Sequence, residues 1–366
     1  MCSNMAYKYR MYPNSLQQEF FMKSFGCCRK VWNLMLQDLN DSLKNSGTYV
    51  FHTPAEYKNT YFYLKEVDSL ALANVQLDFK DAVNRYRKKI SKFPKFKSRN
   101  KSRFSYTTNN QNGTVHIKDN HIKLPKIGYV KIVKHRDVPA DWRLKSATVS
   151  MERDGSFYVS VLYEYEKVFI SHPIVNGIGL DYSSKHLYVD SNGNKCSMIK
   201  SYRKSEEKLS KEQHRLSRKV YNSKNYLKQQ RTVAKCHRHV SNVRKDFLHK
   251  ESRKIANSYD FVCVESLNMR SLSNKGFGNG KATLDNGYGM FVNMLEYKLE
   301  NQGKSLIRVD KLYPSSQLCH VCGHKEKSVR NLQIRKWICP CCDTLHDRDV
   351  NAAKNILQEG IRVMSL

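Results

Sequence analysis

The sequence predicts a multidomain α/β protein, and three observations lead there. Its 366 residues exceed one ordinary domain of roughly 100–200 residues. From Thr114 to Glu166 short strand patterns follow one another with turn signals, whereas from Ile174 onward apolar strands alternate with helical stretches. Five cysteines crowd into the 24 residues from Cys319 to Cys342, which marks a small metal-bound unit. Hydrophobic residues make up 40% of the chain, enough to build a core for each part.

Charge narrows the function classes. Lys plus Arg total 64 against 33 Asp plus Glu, a formal net charge of +31 with a pI near 9.7. So much like charge repels itself in a compact chain and answers to a polyanion, nucleic acid first and an acidic membrane face second. No run of about 18 apolar residues is present to span a bilayer, so no membrane partner is expected. Met1–Lys8 is short and polar, unlike a secretory signal. The eleven cysteines, an odd number, then point to a reducing cytoplasm rather than a disulfide framework.

Along the chain, Met5–Pro13 reads as a short strand closed by Pro13, and Ser15 with Gln18 fits a capping box opening a helix. Leu16, Phe20, Cys27, Val31, Met35 and Leu39 recur at helical spacing and carry that helix to about Leu43. A second helix spans about Leu70–Ile90, with Leu72, Val75, Phe79 and Tyr86 on its buried face. In Phe93, Lys95, Phe96, Lys97, Arg99 and Arg103 aromatics and cations interleave, a pattern that stacks on bases while its cations meet phosphate. A solvated loop of a basic protein has the same pattern. His116–Lys118 and His121–Leu124 then flank a turn at Asp119-Asn120, and Ala147–Met151 and Phe157–Tyr163 flank Asp154-Gly155. These strands form a small barrel or open sheet that the first strand completes, with the helices inserted between its strands.

The second pattern begins with strands at Gly177–Asp181 and Leu187–Val189 and a turn at Ser191-Asn192-Gly193. Arg203–Lys254 is helical and basic, with 17 Lys/Arg against 5 Asp/Glu. Leu209, Leu216, Val220, Leu227, Val240, Val243 and Phe247 supply an apolar stripe, which fits two antiparallel helices bending near Asn222 or Asn225. A threefold excess of one sign cannot be balanced by i,i+4 pairs. Arg215, Lys219, Arg231, Arg238, Arg244 and Lys245 are therefore read as phosphate-facing, against the alternative of a solvated face. Asp260–Glu265 is a buried strand, Phe291–Leu299 a helix, Ser305–Val309 a strand and Asp349–Gln358 a closing helix.

Two constellations carry chemistry. Cys319-x-x-Cys322, sixteen residues, then Cys339-x-x-Cys342 has the spacing of a zinc ribbon, in which four thiolates hold one structural Zn²⁺ with no open position. Cys341 offers a second register, although the x-x spacing favours Cys342. His320, His324 and His346 are alternative ligands. The other constellation is three carboxylates at element ends: Asp181 and Glu265 finish apolar strands, and Asp349 opens the last helix. A carboxylate ending a buried strand is costly unless paired or bound to a cation. Three that converge would hold two Mg²⁺ ions, with Mn²⁺ as a substitute, about 3.5–4 Å apart for phosphodiester hydrolysis. Singly, the acids also read as a turn residue, an ion-pair partner and a helix N-cap.

The strings GIGLDYSSKHLYVDSNG, FVCVESLNMRSL and HDRDVNAAKNIL resemble the three RuvC motifs in order. With YPSSQLCHVCGHK and KWICPCC before the third, KYRMYPNSLQQEF and FPKFKSR near the start, and NVRKDFLHKESRKIA before the second, the chain resembles the insertion-sequence-encoded TnpB family, relatives of the type V CRISPR effector nucleases. The likeness runs over essentially the whole chain. It implies an RNA-guided DNA endonuclease with an RNase H-like (RuvC) core over 171–314 and 346–366 and an inserted zinc ribbon over 315–345. It further implies a wedge-like β-barrel from 1–12 and 104–170, and a helical recognition lobe over 13–103. The family's catalytic acids fall on Asp181, Glu265 and Asp349, with Asp347 the alternative for the third. Arg348 either touches the scissile phosphate or lies on the surface.

The implied partners are a guide RNA and a double-stranded DNA target, in a prokaryotic cytoplasm and on the nucleoid when DNA is bound. Base pairing would supply sequence specificity. Reading of a short flanking motif would fall to the recognition helices and to Thr107, Thr108, Asn109 and Asn110. Two other function classes compete: a guided DNA-binding repressor that does not cut, and a zinc-ribbon DNA-binding accessory of transposition. Three retained acids argue against both, and basic surface far from the ribbon argues against the second.

Overall fold

The computed structural model describes residues 2–167, 174–197, 200–274, 283 and 285–365, apart from the side chains of residues 200, 201 and 270. The chain divides into two compact units, Met1–Val168 and Phe169–Leu366. The boundary expected at 170/171 lies outside the described residues.

In the first unit, β1 (Cys2–Tyr12) is the middle strand of an antiparallel sheet ordered β2-β6-β7-β1-β5-β4-β3. The others are β2 (Phe104–Asn109), β3 (His116–Lys118), β4 (His121–Leu124), β5 (Gly128–Val133), β6 (Arg143–Met151) and β7 (Phe157–Glu166). The period of two decides which face is core: Tyr9 and Met11 of β1 are buried, and Lys8 and Tyr12 are exposed. Strands β2 and β3 are the two ends and do not pair with each other, so of the small barrel or open sheet expected from the residues the structure shows the open sheet.

Three helices, α1 (Ser15–Ser46), α2 (Pro54–Thr60) and α3 (Ser69–Arg87), are inserted between β1 and β2. The capping box of α1 lies one residue earlier than the sequence suggests. Asn14 accepts from the Gln17 amide at 2.9 Å and Gln17 returns the bond at 3.0 Å, while Gln18 is drawn to the Pro13 carbonyl. Gly47, in the left-handed region at φ 66°, ends the helix on the Leu43 carbonyl. The buried stripe of α1 starts at Phe21, leaving Leu16 78% exposed, and that of α3 ends at Val83, leaving Tyr86 outside the core.

The second unit carries β8 (Gly177–Tyr182), β9 (Tyr188–Asp190), β10 (Lys195–Cys196), α4 (Lys200–Ser217), α5 (Lys224–Ser258), β11 (Phe261–Glu265) and α6 (Met269–Leu272). After them come α7 (Tyr288–Asn301), β12 (Ser305–Val309), β13 (Lys336–Ile338), β14 (Leu345–Asp347) and α8 (Arg348–Met364). The sheet order is β10-β9-β8-β11-β12, with β8, β11 and β12 parallel and β9 antiparallel to both its neighbours, β8 and β10. Helices α4 and α5 meet at a corner where Asn222 takes φ 64° and Ser223 caps α5. Buried Val233, Cys236 and Val240 form the seam of α5, whereas Val220 and Leu227, which the stripe included, are exposed because the corner interrupts the helical face. Among the described residues no helix is long and apolar enough to cross a membrane.

Two glycines let α8 lie directly on the sheet. A Cβ on Gly179 of β8 would stand 2.1 Å from the Ala353 carbonyl oxygen, and one on Gly360 would stand 2.1 Å from Sγ of Cys263. Because α8 carries Asp349, this approach sets the distance between helix and strand ends. Gly179→Ala is expected to destabilise the protein by about 3 kcal/mol, at the upper end for overpacking, since backbone cannot yield as a side chain would. Urea unfolding reads this directly; a loss below about 0.5 kcal/mol, the scale of an ordinary surface substitution, would mean that the helix can slide away.

Candidate catalytic and metal centres

Strand register brings the first two acids together. Leu180 of β8 pairs with Val264 of the parallel β11, so the next residues, Asp181 and Glu265, emerge side by side at the C-terminal ends of neighbouring strands. This is the edge of an open parallel sheet where ligands bind. Asp349 arrives from the first turn of α8. Its neighbour Asp347 is already committed: it is the N-cap, accepting from the amides of Asp349 (3.1 Å) and Val350 (3.3 Å), and it pairs with Lys195 at 3.0 Å. The helix therefore spends Asp347 on its own amides and leaves Asp349 to turn inward.

Electrostatics couple the three. Burial pushes the Asp181 carboxyl well above the usual range, and the charges of Glu265 and Asp349 push it further, against partial relief from Arg348 and Arg335. Burial also raises Glu265, whose Oε1 accepts from the Ser315 hydroxyl at 2.8 Å. Asp349 is met by Arg335 at 3.4 Å. Arg348 is 7% exposed, so it is not a surface residue, and its Nη1 donates to the Asn331 carbonyl at 3.2 Å. A cleft of about 290 Å³ opens at Asp349, lined also by Ser183, Lys185, His186, Lys195 and Arg335. An acid whose proton affinity is raised by burial and by two neighbouring carboxylates, as that of Asp181 is, suits a divalent cation, which would supply the missing positive charge.

The cysteines are brought together as a set. The Sγ atoms of Cys319, Cys322, Cys339 and Cys342 lie within 4.8 Å of one another, with Cys319–Cys342 and Cys322–Cys339 both at 3.6 Å. Tetrahedral Zn²⁺ with bonds of about 2.3 Å needs sulfurs roughly 3.8 Å apart, so the cluster fits that ion. The two pairs fold alike. Gly323 N donates to Cys319 O and Asp343 N to Cys339 O, both at 2.9 Å, and Gly323 (φ 77°) and Asp343 (φ 52°) both turn through the left-handed region. Aspartate tolerates that conformation better than most residues, which explains its place in a glycine position. Cys341 points to solvent and is outside the cluster. His346 lies against the site, its Nε2 3.1 Å from Sγ of Cys319, while His320 bonds Asn351.

The nucleic-acid candidates divide. Lys95, Phe96, Arg99, Arg103, Lys219, Arg231 and Lys245 are exposed; Arg215 is exposed but paired with Glu212 at 2.7 Å, and Arg238 is half-buried. Others turn inward. Phe93 packs edge-on against Tyr86, and Lys97 sits 3.4 Å from the centre of the Trp32 ring. Thr108 is fully buried with its hydroxyl on Asp68 at 2.5 Å, so it cannot read DNA, and Asn109 beside it is half-buried in β2. Thr107 bonds Thr148, and Asn110 braces its own loop through Leu144 and Val115. Arg244 pairs with Asp285 and Tyr202 instead of facing phosphate. Composition cannot separate these from their exposed neighbours, because a cation's partner comes from a distant element. For the same reason sequence reasoning passed over Ser315, Arg335, Lys185 and Lys195; the strings YPSSQLCHVCGHK and GIGLDYSSKHLYVDSNG include Ser315 and Lys185 without giving either a role.

Residues 288–356 match the family model described as Cas12f1-like, TNB domain, residues 160–275 one described as "Probable transposase", and residues 1–48 one described as a helix-turn-helix domain. Here residues 2–46 form one strand and one long helix. A Streptomyces pristinaespiralis protein named "Putative RNA-guided DNA endonuclease" is 33% identical over 97% of this chain and 89% of its own length. Its Escherichia coli counterpart InsQ, of the same designation, is 30% identical over 98% and 93%. The fold resembles a chain in the structure titled "Cryo-EM structure of the Cas12f1-sgRNA-target DNA complex", with a TM-score of 0.58 at 15% identity, covering 94% of this chain and 83% of that one. By its identity to relatives matched over nearly their full length, the chain belongs to the TnpB family.

Proposed function

We propose that this protein is an RNA-guided DNA endonuclease whose RuvC-type site hydrolyses phosphodiester bonds. The observation that carries the reading is the convergence of Asp181 and Glu265 from adjacent parallel strands with Asp349 from α8, where burial and the charges of Glu265 and Asp349 together hold the Asp181 carboxyl well above its usual proton affinity. In this reading the five-stranded mixed sheet is an RNase H-like core, residues 315–345 the zinc ribbon, the seven-stranded sheet the wedge and α1–α3 the recognition lobe. Cys319, Cys322, Cys339 and Cys342 would hold one Zn²⁺, whose closed set of four thiolates leaves structure as its role.

Asp181, Glu265 and Asp349 would hold two Mg²⁺ ions, which when bound supply an activated water and stabilise the leaving oxygen. The protein's own part is positional. The cations Lys185, Lys195 and Arg335 beside the cleft draw a phosphate toward Asp349, and the half-buried setting of the three acids shields them in part from bulk water. The exposed cations of α4 and α5 and of residues 95–103 give affinity for the nucleic-acid backbone, while a guide RNA paired to the target supplies sequence. The relatives' names and the titled complex support those partners.

The deciding experiment purifies the chain with any copurifying RNA, sequences that RNA, and presents matching plasmid in Mg²⁺. A discrete RNA with guide-dependent cutting is expected. Tight guided binding without cutting would make the protein a repressor. Absence of a discrete RNA, with plasmid intact or nicked at random, would refute guidance.

A further inference from the structure

We propose that the cysteine-bound segment is a positioning frame for two of the three acids, acting through Ser315 on Glu265 and Arg335 on Asp349. The inference rests on the reading of these acids as cation ligands. It concerns how they are aimed.

One arm runs through Ser315, which is 5% exposed and donates to Oε1 of Glu265 at 2.8 Å. A hydroxyl there fixes the carboxylate's rotation and leaves Oε2 to face a cation, as outer partners do for metal ligands generally. Ser315 is itself held. Its carbonyl accepts from Nδ2 of Asn355 at 2.7 Å, and the same amide donates to the Leu318 carbonyl at 2.6 Å. One turn earlier on α8, Asn351 donates to the Leu318 carbonyl at 2.6 Å and accepts from His320 N at 3.1 Å and Nδ1 at 3.0 Å. Gln358 reaches the His320 carbonyl at 3.1 Å. Asn351, Asn355 and Gln358 are spaced i, i+4, i+7 and so share one helix face. They clamp residues 315–320, the stretch that carries Cys319. Asn351 and Asn355 are 1% and 2% exposed, where an unpaired amide would be costly.

The second arm runs through β13 and β14. Lys336 pairs with Asp347 in register, and the Arg348 amide donates to the Arg335 carbonyl at 2.9 Å. This sets Arg335 beside the start of α8, where its guanidinium meets Asp349 at 3.4 Å. Strand β13 then leads directly into the Cys339–Cys342 pair. Each arm therefore ends on one cysteine pair, and the four sulfurs tie the pairs together. Losing the tie frees both arms, so an ion at the cysteines governs how well Glu265 and Asp349 receive a different ion. Ser315 and Arg335 are positioning residues.

The test measures Mn²⁺ binding to the full-length chain without nucleic acid, by electron paramagnetic resonance, with Asp181→Ala subtracted as the blank. Ser315→Ala is expected to weaken that binding about tenfold and to slow cleavage at limiting Mg²⁺ by a similar factor. Guided DNA binding should stay within twofold, and Ser315→Thr, which keeps the hydroxyl, should restore both. Arg335→Ala should weaken Mn²⁺ about threefold, with Arg335→Lys intermediate; this exposed side chain carries the test should Ser315→Ala fail to fold. Cys322→Ser, checked by zinc analysis, should weaken Mn²⁺ at least as much as Ser315→Ala. If Ser315→Ala and Arg335→Ala bind Mn²⁺ like the wild type, or if Cys322→Ser loses zinc with Mn²⁺ binding unchanged, the frame is overturned. If the wild type binds no more Mn²⁺ than Asp181→Ala does, the assignment of the acids fails instead.

Discussion

Asp181→Ala is expected to reduce guided cleavage by about 10⁴-fold while leaving guided DNA binding within about twofold. At 1.36 kcal/mol per tenfold, that is about 5.5 kcal/mol of transition-state stabilisation, in line with removal of a metal ligand whose loss also disturbs its neighbours. Binding should survive because the contacts proposed to hold nucleic acid are spread over exposed cations of α4, α5 and residues 95–103, none of them near β8 in sequence. Single-turnover cutting of a matched, labelled duplex, beside a binding titration, reads both. Residual cutting within tenfold of wild type would remove Asp181 from the chemistry.

Asp181→Asn, which removes the same charge with an isosteric side chain, should have the opposite effect on folding. Burial and the facing charges of Glu265 and Asp349 raise the Asp181 carboxyl well above its unfolded value. The folded state thus holds its proton to higher pH than the unfolded state. Stability of the metal-free protein is fully present below the unfolded pKa and falls as pH rises through the folded one. At pH 7, above the unfolded value, the metal-free Asp181 carboxyl is a net cost to the folded state, so Asp181→Asn without added Mg²⁺ should melt a few degrees higher than wild type and lose the wild type's stabilisation by Mg²⁺. Melting curves from pH 4 to 8 test the sign; a lower midpoint for Asp181→Asn at pH 7 would mean that another cation already neutralises the cluster.

The second large effect concerns the cysteines. Cys339→Ser is expected to lose the zinc ion and unfold residues 315–345, because the apolar cluster there comprises only Cys319, Val329, Trp337 and Cys339 with Ile334 and Cys342 against it. So small a core cannot offset the entropy of ordering the segment. Metal binding at such sites contributes about 10–16 kcal/mol. Cys341→Ser, by contrast, should keep full zinc and full protease resistance, since that side chain points to solvent. Zinc per chain by elemental analysis and limited proteolysis decide it. Zinc loss in Cys341→Ser, with Cys342→Ser unaffected, would reverse the assignment of the fourth ligand.

What the sequence by itself determined is what short-range chemistry dictates. The cysteine spacing closes two knuckles locally; apolar runs ending on Asp181 and Glu265 are strands wherever they pack; Asp154-Gly155 and Asp119-Asn120 turn their hairpins; and the corner at Asn222 follows from a left-handed residue beside a helix cap. The cap of α1 was legible to within a residue, Asn14 in place of Ser15.

Tertiary structure alone decided which way identical side chains face. Thr108 looked like a reader of DNA and is buried against Asp68; Arg244 and Lys97 looked like phosphate contacts and lie on Asp285 and Trp32. Conversely, Ser315 and Arg335 had no role assigned from sequence and meet Glu265 and Asp349 across 50 and 14 residues of chain. The physical reason is range. Propensity, turn chemistry and ligand spacing act between neighbours, whereas burial and charge pairing depend on partners that only the packed sheet, with Gly179 admitting α8, brings within reach.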